Sequence, residues 1–155
     1  METTSPSTWE QQRDQYLSER VDGQIKWYGG KSRANKKWYY LSRTIIIVSG
    51  ALIPLLVGYA SGNWEWLKYV AGALGAVVAV SEGVLSLKKY LENWTTYRST
   101  SERLKREKLL YLNKVGEDYA GGDETAFKQF VVKAELIMSS ENQDWSAHLD
   151  PNQGK

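Results

Sequence analysis

Residues Thr44–Trp64 read TIIIVSGALIPLLVGYASGNW, a run without a single charged side chain. A helix rises about 1.5 Å per residue, so about 20 residues cross the roughly 30 Å hydrocarbon core of a bilayer. A second run, Leu67–Leu87, has the uncharged centre YVAGALGAVVAVS and one charge in its interior, Glu82. Ser61-Gly62-Asn63 lies between them and permits a sharp reversal. Trp64 and Trp66 follow, the residue type that gathers at headgroup depth. A helix apolar on all faces must be surrounded by lipid or by a large protein, and the rest of this chain is charged and modest in size. The reading is an all-α integral membrane protein. Its centre is a transmembrane hairpin with spans at 44–60 and 67–87, and cytoplasmic helices stand before and after it. A soluble helical bundle with an unusually apolar hairpin is the competing reading.

Working outward, the charges flank the hairpin. Lys31, Arg33, Lys36, Lys37 and Arg43 precede the first run; Lys88, Lys89, Arg98, Arg103, Lys105 and Arg106 follow the second. Near the turn only Lys68 is basic. Lysine and arginine resist translocation, so both termini are expected in the cytoplasm, with the protein multi-pass in the cell inner membrane. The mean hydropathy of −0.50 hides this division into blocks. The first forty residues are too polar for a cleavable secretory signal.

Residues 1–7 read as a disordered N-terminus and 146–155 as a disordered tail. The 8–145 region reads as one two-transmembrane helical domain. Ser7-Thr8-Trp9-Glu10 has the form of a capping box. Leu17, Val21, Ile25 and Tyr28 then recur at helical spacing, giving a first helix over 8–28 that Gly29-Gly30 is expected to end. A further helix should start near Lys31 and run into the first span. After the second span the pattern continues into a helix over 88–115. There Tyr90, Trp94, Tyr97, Ser101, Leu104, Lys108 and Tyr111 alternate steps of four and three, a heptad-like seam. The seam packs either on the other cytoplasmic helices or between subunits. Gly116 and Gly121-Gly122 mark a loop, and Asp123 starts a last helix over 123–145 carrying Phe127, Phe130, Val131, Ala134, Ile137 and Met138.

The chain has no cysteine, which removes disulfides, thiolate metal sites and cysteine nucleophiles. Its net charge of +2 does not suggest a nucleic-acid partner. The one histidine, His148, reads as a solvated tail residue. No phosphate loop, metal-spaced cluster or nucleophile motif appears, so no enzyme activity, catalytic residue, metal or cofactor is expected. The residues of interest lie in the spans. Pro54 cannot donate to the Gly50 carbonyl, and a kink is expected there. Ala71, Gly75, Ala79 and Gly83 form a row of small residues that lets another helix come close, from the same chain or a neighbour. Glu82 is costly inside a span and should face protein, water or a cation. If the chain reverses near Asn63, Arg43 comes level with it. Glu82 then either holds the hairpin in register by pairing with Arg43 or lines a cation path in an oligomer.

YLSERVDGQIKWY (16–28), SGALIPLL (49–56) and ENWTTYRSTSERLKREK (92–108) resemble the DUF4231 family, of the SLATT group of small two-transmembrane bacterial proteins. The similarity spans about Tyr16 to Trp145, with Glu141-Asn142 near its end. Its most specific piece is Trp94-x-x-Tyr97-Arg98-x-x-x-Glu102-x-Leu104, where Arg98 and Glu102 have i,i+4 spacing. The resemblance implies a membrane effector of a conflict or antiphage system. In that reading the protein forms a homo-oligomeric pore in the lipid bilayer, triggered through its cytoplasmic helices by a cytoplasmic sensor protein. The alternative is a non-conducting membrane anchor or scaffold that recruits a cytoplasmic partner.

Overall fold

A computed structural model describes the backbone of residues 8–149 and the side chains of residues 8–140. Every element among the described residues is helical. In order they are α1 (Thr8–Gln15), a π-helical turn (Tyr16–Val21), α2 (Asp22–Tyr59), a 3-10 turn (Gly62–Trp64), α3 (Leu67–Lys88), α4 (Tyr90–Leu112), a second 3-10 turn (Glu117–Tyr119) and α5 (Asp123–Leu149). The chain divides into two compact units. One runs up to Lys31 and resumes at Thr96; the other is Ser32–Thr95. The expected capping residue Ser7, the terminal segments 1–7 and 150–155, and the side chains of Glu141, Asn142, Trp145 and His148 lie outside the described residues.

The first unit has an ordinary apolar core. Leu17, Val21 and Tyr28 from the N-terminal helices meet Leu104 and Tyr111 of α4 and Phe130, Ala134 and Met138 of α5. The aromatics interlock, with Tyr111 stacked on Phe130 at 4.7 Å and Tyr16 edge-on to Phe127 at 5.9 Å. Leu104 and Phe130 are fully buried. Thus the α4 seam faces its own chain: Ser101, Leu104 and Tyr111 are buried, and Tyr97 and Lys108 half-buried.

Two expected boundaries differ. Gly29-Gly30 does not end a helix; α2 runs through both residues. Neither glycine adopts a positive φ. Ser101 Oγ donates to the Ile25 carbonyl at 3.3 Å and lies 3.9 Å from the place a Gly29 Cβ would take, so packing on α4 outweighs weak propensity. The irregularity lies earlier, where the Asp22 N–H bonds five residues back to the Leu17 carbonyl.

The second difference is a break after the second apolar helix, where an unbroken pattern was expected. Lys89 takes a left-handed conformation (φ 47°, ψ 40°) and its N–H bonds to the Leu85 carbonyl, an αL helix stop. Asn93 Nδ2 donates to the freed Lys88 carbonyl at 3.0 Å. α4 ends the same way at the other end. Lys114 has φ 52°, its N–H bonds to the Tyr111 carbonyl, and the Val115 N–H bonds to that of Leu110, a Schellman motif. Glycine usually takes these positions; here lysine does, so no sequence signal announces them.

The second unit is the hairpin. In the hairpin, the less exposed positions include Ser42, Ile46, Ser49, Ile53 and Leu56 of α2, with Ala60 just past its end, and Leu67, Ala71, Leu74, Val78, Ser81 and Leu85 of α3, where Val70 and Gly75 flank them. Both sets alternate three and four, the spacing of two helices packed along one seam. Outside this seam the surface is apolar and uncovered, with Ile47 68% and Val80 66% exposed. Both helices are long and apolar enough to cross a membrane, and only 6% and 11% of their most apolar stretches are buried. A core helix of a soluble protein would be mostly buried.

Candidate functional site

The hairpin register sets the charged pair. With the chain reversing through Gly62, which has φ 55°, α2 and α3 lie antiparallel and position 43 comes level with position 82. Arg43 Nη1 donates to Glu82 Oε1 at 2.7 Å, and both side chains are nearly half exposed. The Arg43 guanidinium also lies 5.9 Å from the Tyr39 ring centroid. Around them is an open groove of about 490 Å³ lined by Tyr39, Arg43, Glu82, Lys89, Tyr90 and Glu92. Lys89 pairs with Glu92 at 3.4 Å. One turn outward, the Lys36 ammonium sits over the rings of Trp94 (5.4 Å) and Tyr40 (5.9 Å), and Ser32 donates to the Trp94 carbonyl. The arrangement can neutralise one charge pair and hold cations beside aromatic rings at one end of the hairpin.

Pro54 lies inside α2, which continues past it to Tyr59. The small-residue row winds off the seam. Ala71 is buried and Gly75 half-buried, but Ala79 and Gly83 are exposed. A Cβ at Gly75 or Gly83 would meet nothing within 4 Å. Hence the far half of the row does not serve the packing of α2 on α3.

The aromatic motif divides. Trp94 belongs to the hairpin unit. Tyr97 packs in the other unit, its ring 5.8 Å from Trp27 and 6.1 Å from Tyr28. Arg98 is exposed and does not pair with Glu102. Glu102 instead pairs with Lys105 at 2.9 Å. An acid one turn N-terminal to a base is the favourable order on a helix, and Arg98–Glu102 runs the other way.

Sequence reasoning missed a polar lock in the first unit. Arg20 grips Glu135 with two nitrogens, at 3.2 and 3.0 Å, and the Tyr16 hydroxyl donates to the same carboxylate at 2.9 Å. Tyr16 and Arg20 both come from the π turn, so the irregular turn presents the two donors to one acceptor on α5. The hydrogen bonds from Arg20 and Tyr16 hold the Glu135 carboxyl below its ordinary range against the effect of burial. Burial first, and then the bond to Glu135, push the Tyr16 phenol well above its own. A second lock fixes the α4–α5 connection. The buried Tyr119 donates to Glu107 at 2.5 Å, and Lys133 bridges Glu107 and Asp118. An i,i+115 or i,i+12 pair leaves no periodic mark, so only the fold reveals them. Among the described residues no cluster of three or more His, Asp or Glu could hold a metal.

A family model, described as protein of unknown function (DUF4231), matches residues 23–126. The chain belongs to the DUF4231 family. No curated protein and no solved structure matches it. The family region holds the whole hairpin, the Arg43–Glu82 pair, the Lys89 stop and the Trp94–Glu102 motif. It is shorter than the Tyr16–Trp145 similarity expected from sequence. α1, the π turn with Tyr16 and Arg20, and nearly all of α5 with Glu135 lie outside it.

Proposed function

We propose that this DUF4231 protein is a two-span protein of the cell inner membrane, with both termini in the cytoplasm. Several copies would together form a pore governed by the helical unit. The carrying observation is the uncovered apolar surface of α2 and α3, of which 6% and 11% is buried in the most apolar stretches. In water that surface would be a severe aggregation liability; in lipid it is matched. Arg33, Lys36, Lys37, Arg43, Lys88 and Lys89, all at one end of the hairpin, support the orientation. One hairpin encloses no channel, so conduction requires a ring of copies. The open positions Ala79 and Gly83 support close approach of a neighbouring helix. The SLATT-type effector role, a cytoplasmic sensor protein as trigger, and the absence of enzyme activity belong to the same reading.

The second reading is a non-conducting anchor that recruits a cytoplasmic partner. It is favoured by the Arg43–Glu82 bond, which neutralises the charges nearest the spans. The test is two-fold. Resistance to alkaline carbonate extraction checks membrane insertion; release into the supernatant would instead favour a soluble bundle. Ion flux through reconstituted protein, with and without Glu82→Gln, then separates pore from anchor. Absence of flux in every oligomeric preparation would leave the anchor.

A further inference from the structure

The hairpin carries two bands of aromatic residues. Trp38 and Tyr40 are exposed on α2, with Tyr90 and Trp94 opposite on α4; at the other end Tyr59, Trp64, Trp66 and Tyr69 are exposed. Tyr40 to Tyr59 spans 19 residues of continuous helix, about 28 Å, close to the thickness of a bilayer's hydrocarbon core. The bands thus mark two headgroup levels. The charge at those levels differs. Arg33, Lys36, Lys37, Arg43, Lys88 and Lys89 stand at one end against Glu82 and Glu92, a surplus of four positive charges (six minus two). The other end holds only Glu65 and Lys68, paired with each other at 3.7 Å.

Four of the six cations are uncommitted. Among the described residues Arg33, Lys36, Lys37 and Lys88 form no ion pair. Lys36 is held, but by the faces of Tyr40 and Trp94, which fix its ammonium about one turn from Tyr40 without neutralising it. Lys37 lies three residues, about 4.5 Å of helix rise, beyond Tyr40, and the antiparallel register that sets Arg43 beside Glu82 brings Lys88, six residues past Glu82, level with Lys37, six residues before Arg43. Those depths correspond to lipid phosphates rather than bulk water. Topology alone needs basic residues near this side; it does not need them at headgroup depth, or one of them caged between aromatic rings.

We propose that this end of the hairpin is a docking surface for anionic phospholipids, with Lys36, Lys37 and Lys88 as its phosphate-binding cations and Arg33 at its outer edge. The proposal rests on the membrane reading above and adds the lipid class that the surface selects. Cations at headgroup depth gain roughly fivefold each in partitioning to an anionic leaflet. The Arg43–Glu82 and Lys89–Glu92 pairs contribute little to this preference, because each is neutral overall.

The full-length protein, purified in mild detergent, is mixed with equal parts of phosphatidylglycerol and phosphatidylcholine, and the lipids retained after size exclusion are quantified by mass spectrometry. Phosphatidylglycerol should be enriched severalfold over its bulk share. Lys36→Gln with Lys37→Gln and Lys88→Gln should abolish the enrichment, and Lys36→Arg with Lys37→Arg and Lys88→Arg should keep it. Lys68→Gln, at the opposite end, should leave it unchanged. Retained lipid at the bulk ratio, or enrichment that survives the triple Gln variant, overturns the proposal while leaving membrane insertion intact. Carbonate extraction of the same proteins from vesicles distinguishes the other failure: if the native protein is released, the membrane reading falls and the lipid surface with it.

Discussion

Arg43 and Glu82 meet at 2.7 Å with both side chains nearly half open to whatever surrounds the hairpin. Where that surrounding is lipid, an unpaired member is far more costly than the pair. Glu82→Gln is therefore expected to destabilise the hairpin, and adding Arg43→Gln should restore much of the loss. A clear double-mutant coupling should be read from thermal melts in detergent, the double variant melting above what the two single losses add up to. No coupling would mean that each side chain reaches the interface independently. A different residue sets the pH response of the helical unit. The Glu135 carboxyl is depressed by Arg20 and Tyr16, so its contribution is present above the ordinary glutamate range and lost as pH falls through its depressed value. Glu135→Gln should lower stability at neutral pH by about 1 kcal/mol and flatten the acid limb of the stability curve. The phenols of half-buried Tyr16 and buried Tyr119 are raised, so their contribution is complete below the ordinary tyrosine value and lost on the alkaline side. Tyr16→Phe should reduce the alkaline loss, measured by circular dichroism against pH.

At the scale of elements, glycine and lysine exchange their usual places. Gly29 and Gly30 lie inside a 38-residue helix with room for a methyl group at each. Gly30→Ala should raise thermal stability by about 0.5–1 kcal/mol, and Gly29→Ala by somewhat less because its Cβ would touch Ser101. A loss of stability on Gly30→Ala would show that the helix bends or breaks there. Lys89 holds a left-handed conformation that costs a side-chain-bearing residue about 1 kcal/mol. Lys89→Gly should therefore stabilise the junction of α3 and α4, and Lys89→Val should destabilise it. The heptad-like seam of α4 was legible because a 3.5-residue period survives any arrangement of partners. The helix stops were not legible, because lysine carries no left-handed preference and only the Leu85 and Leu110 carbonyls identify them.

For the whole molecule, both ends of the hairpin's basic side should face the same compartment. Reporter fusions at the N- and C-termini are expected to agree, both cytoplasmic; an externally accessible C-terminal tag would refute the orientation. Crosslinking in native membranes should give discrete multimers, and Gly83→Leu should weaken them, because it fills the open part of the small-residue row without touching the α2–α3 seam. A monomer in bilayers would leave the anchor reading. In the helical unit, Phe130→Ala should cost about 3–5 kcal/mol and melt that unit, since the ring is fully buried among Tyr16, Tyr111 and Leu104.

The sequence by itself determined the helical class, the two apolar helices and the faces on which Leu17, Val21, Leu104 and Phe130 are buried. Those features follow from local chemistry: block hydropathy sets span length, and a repeating apolar position sets a helix face wherever its partner lies. The hairpin geometry that brings Arg43 to Glu82 was also within reach, because antiparallel helices of known rise can be counted from the turn. The tertiary structure alone decided the rest. It carried α2 through two glycines on the strength of packing against Ser101, and it placed left-handed stops at two lysines. It turned Glu102 to Lys105, and it joined Tyr16 and Arg20 to Glu135 through a π turn. The Ser101 contact and the Glu135 lock rest on groups far apart in the chain, which spacing along one helix does not record; the lysine stops and the Glu102–Lys105 pair are local, but residue type alone did not announce which local geometry the chain takes.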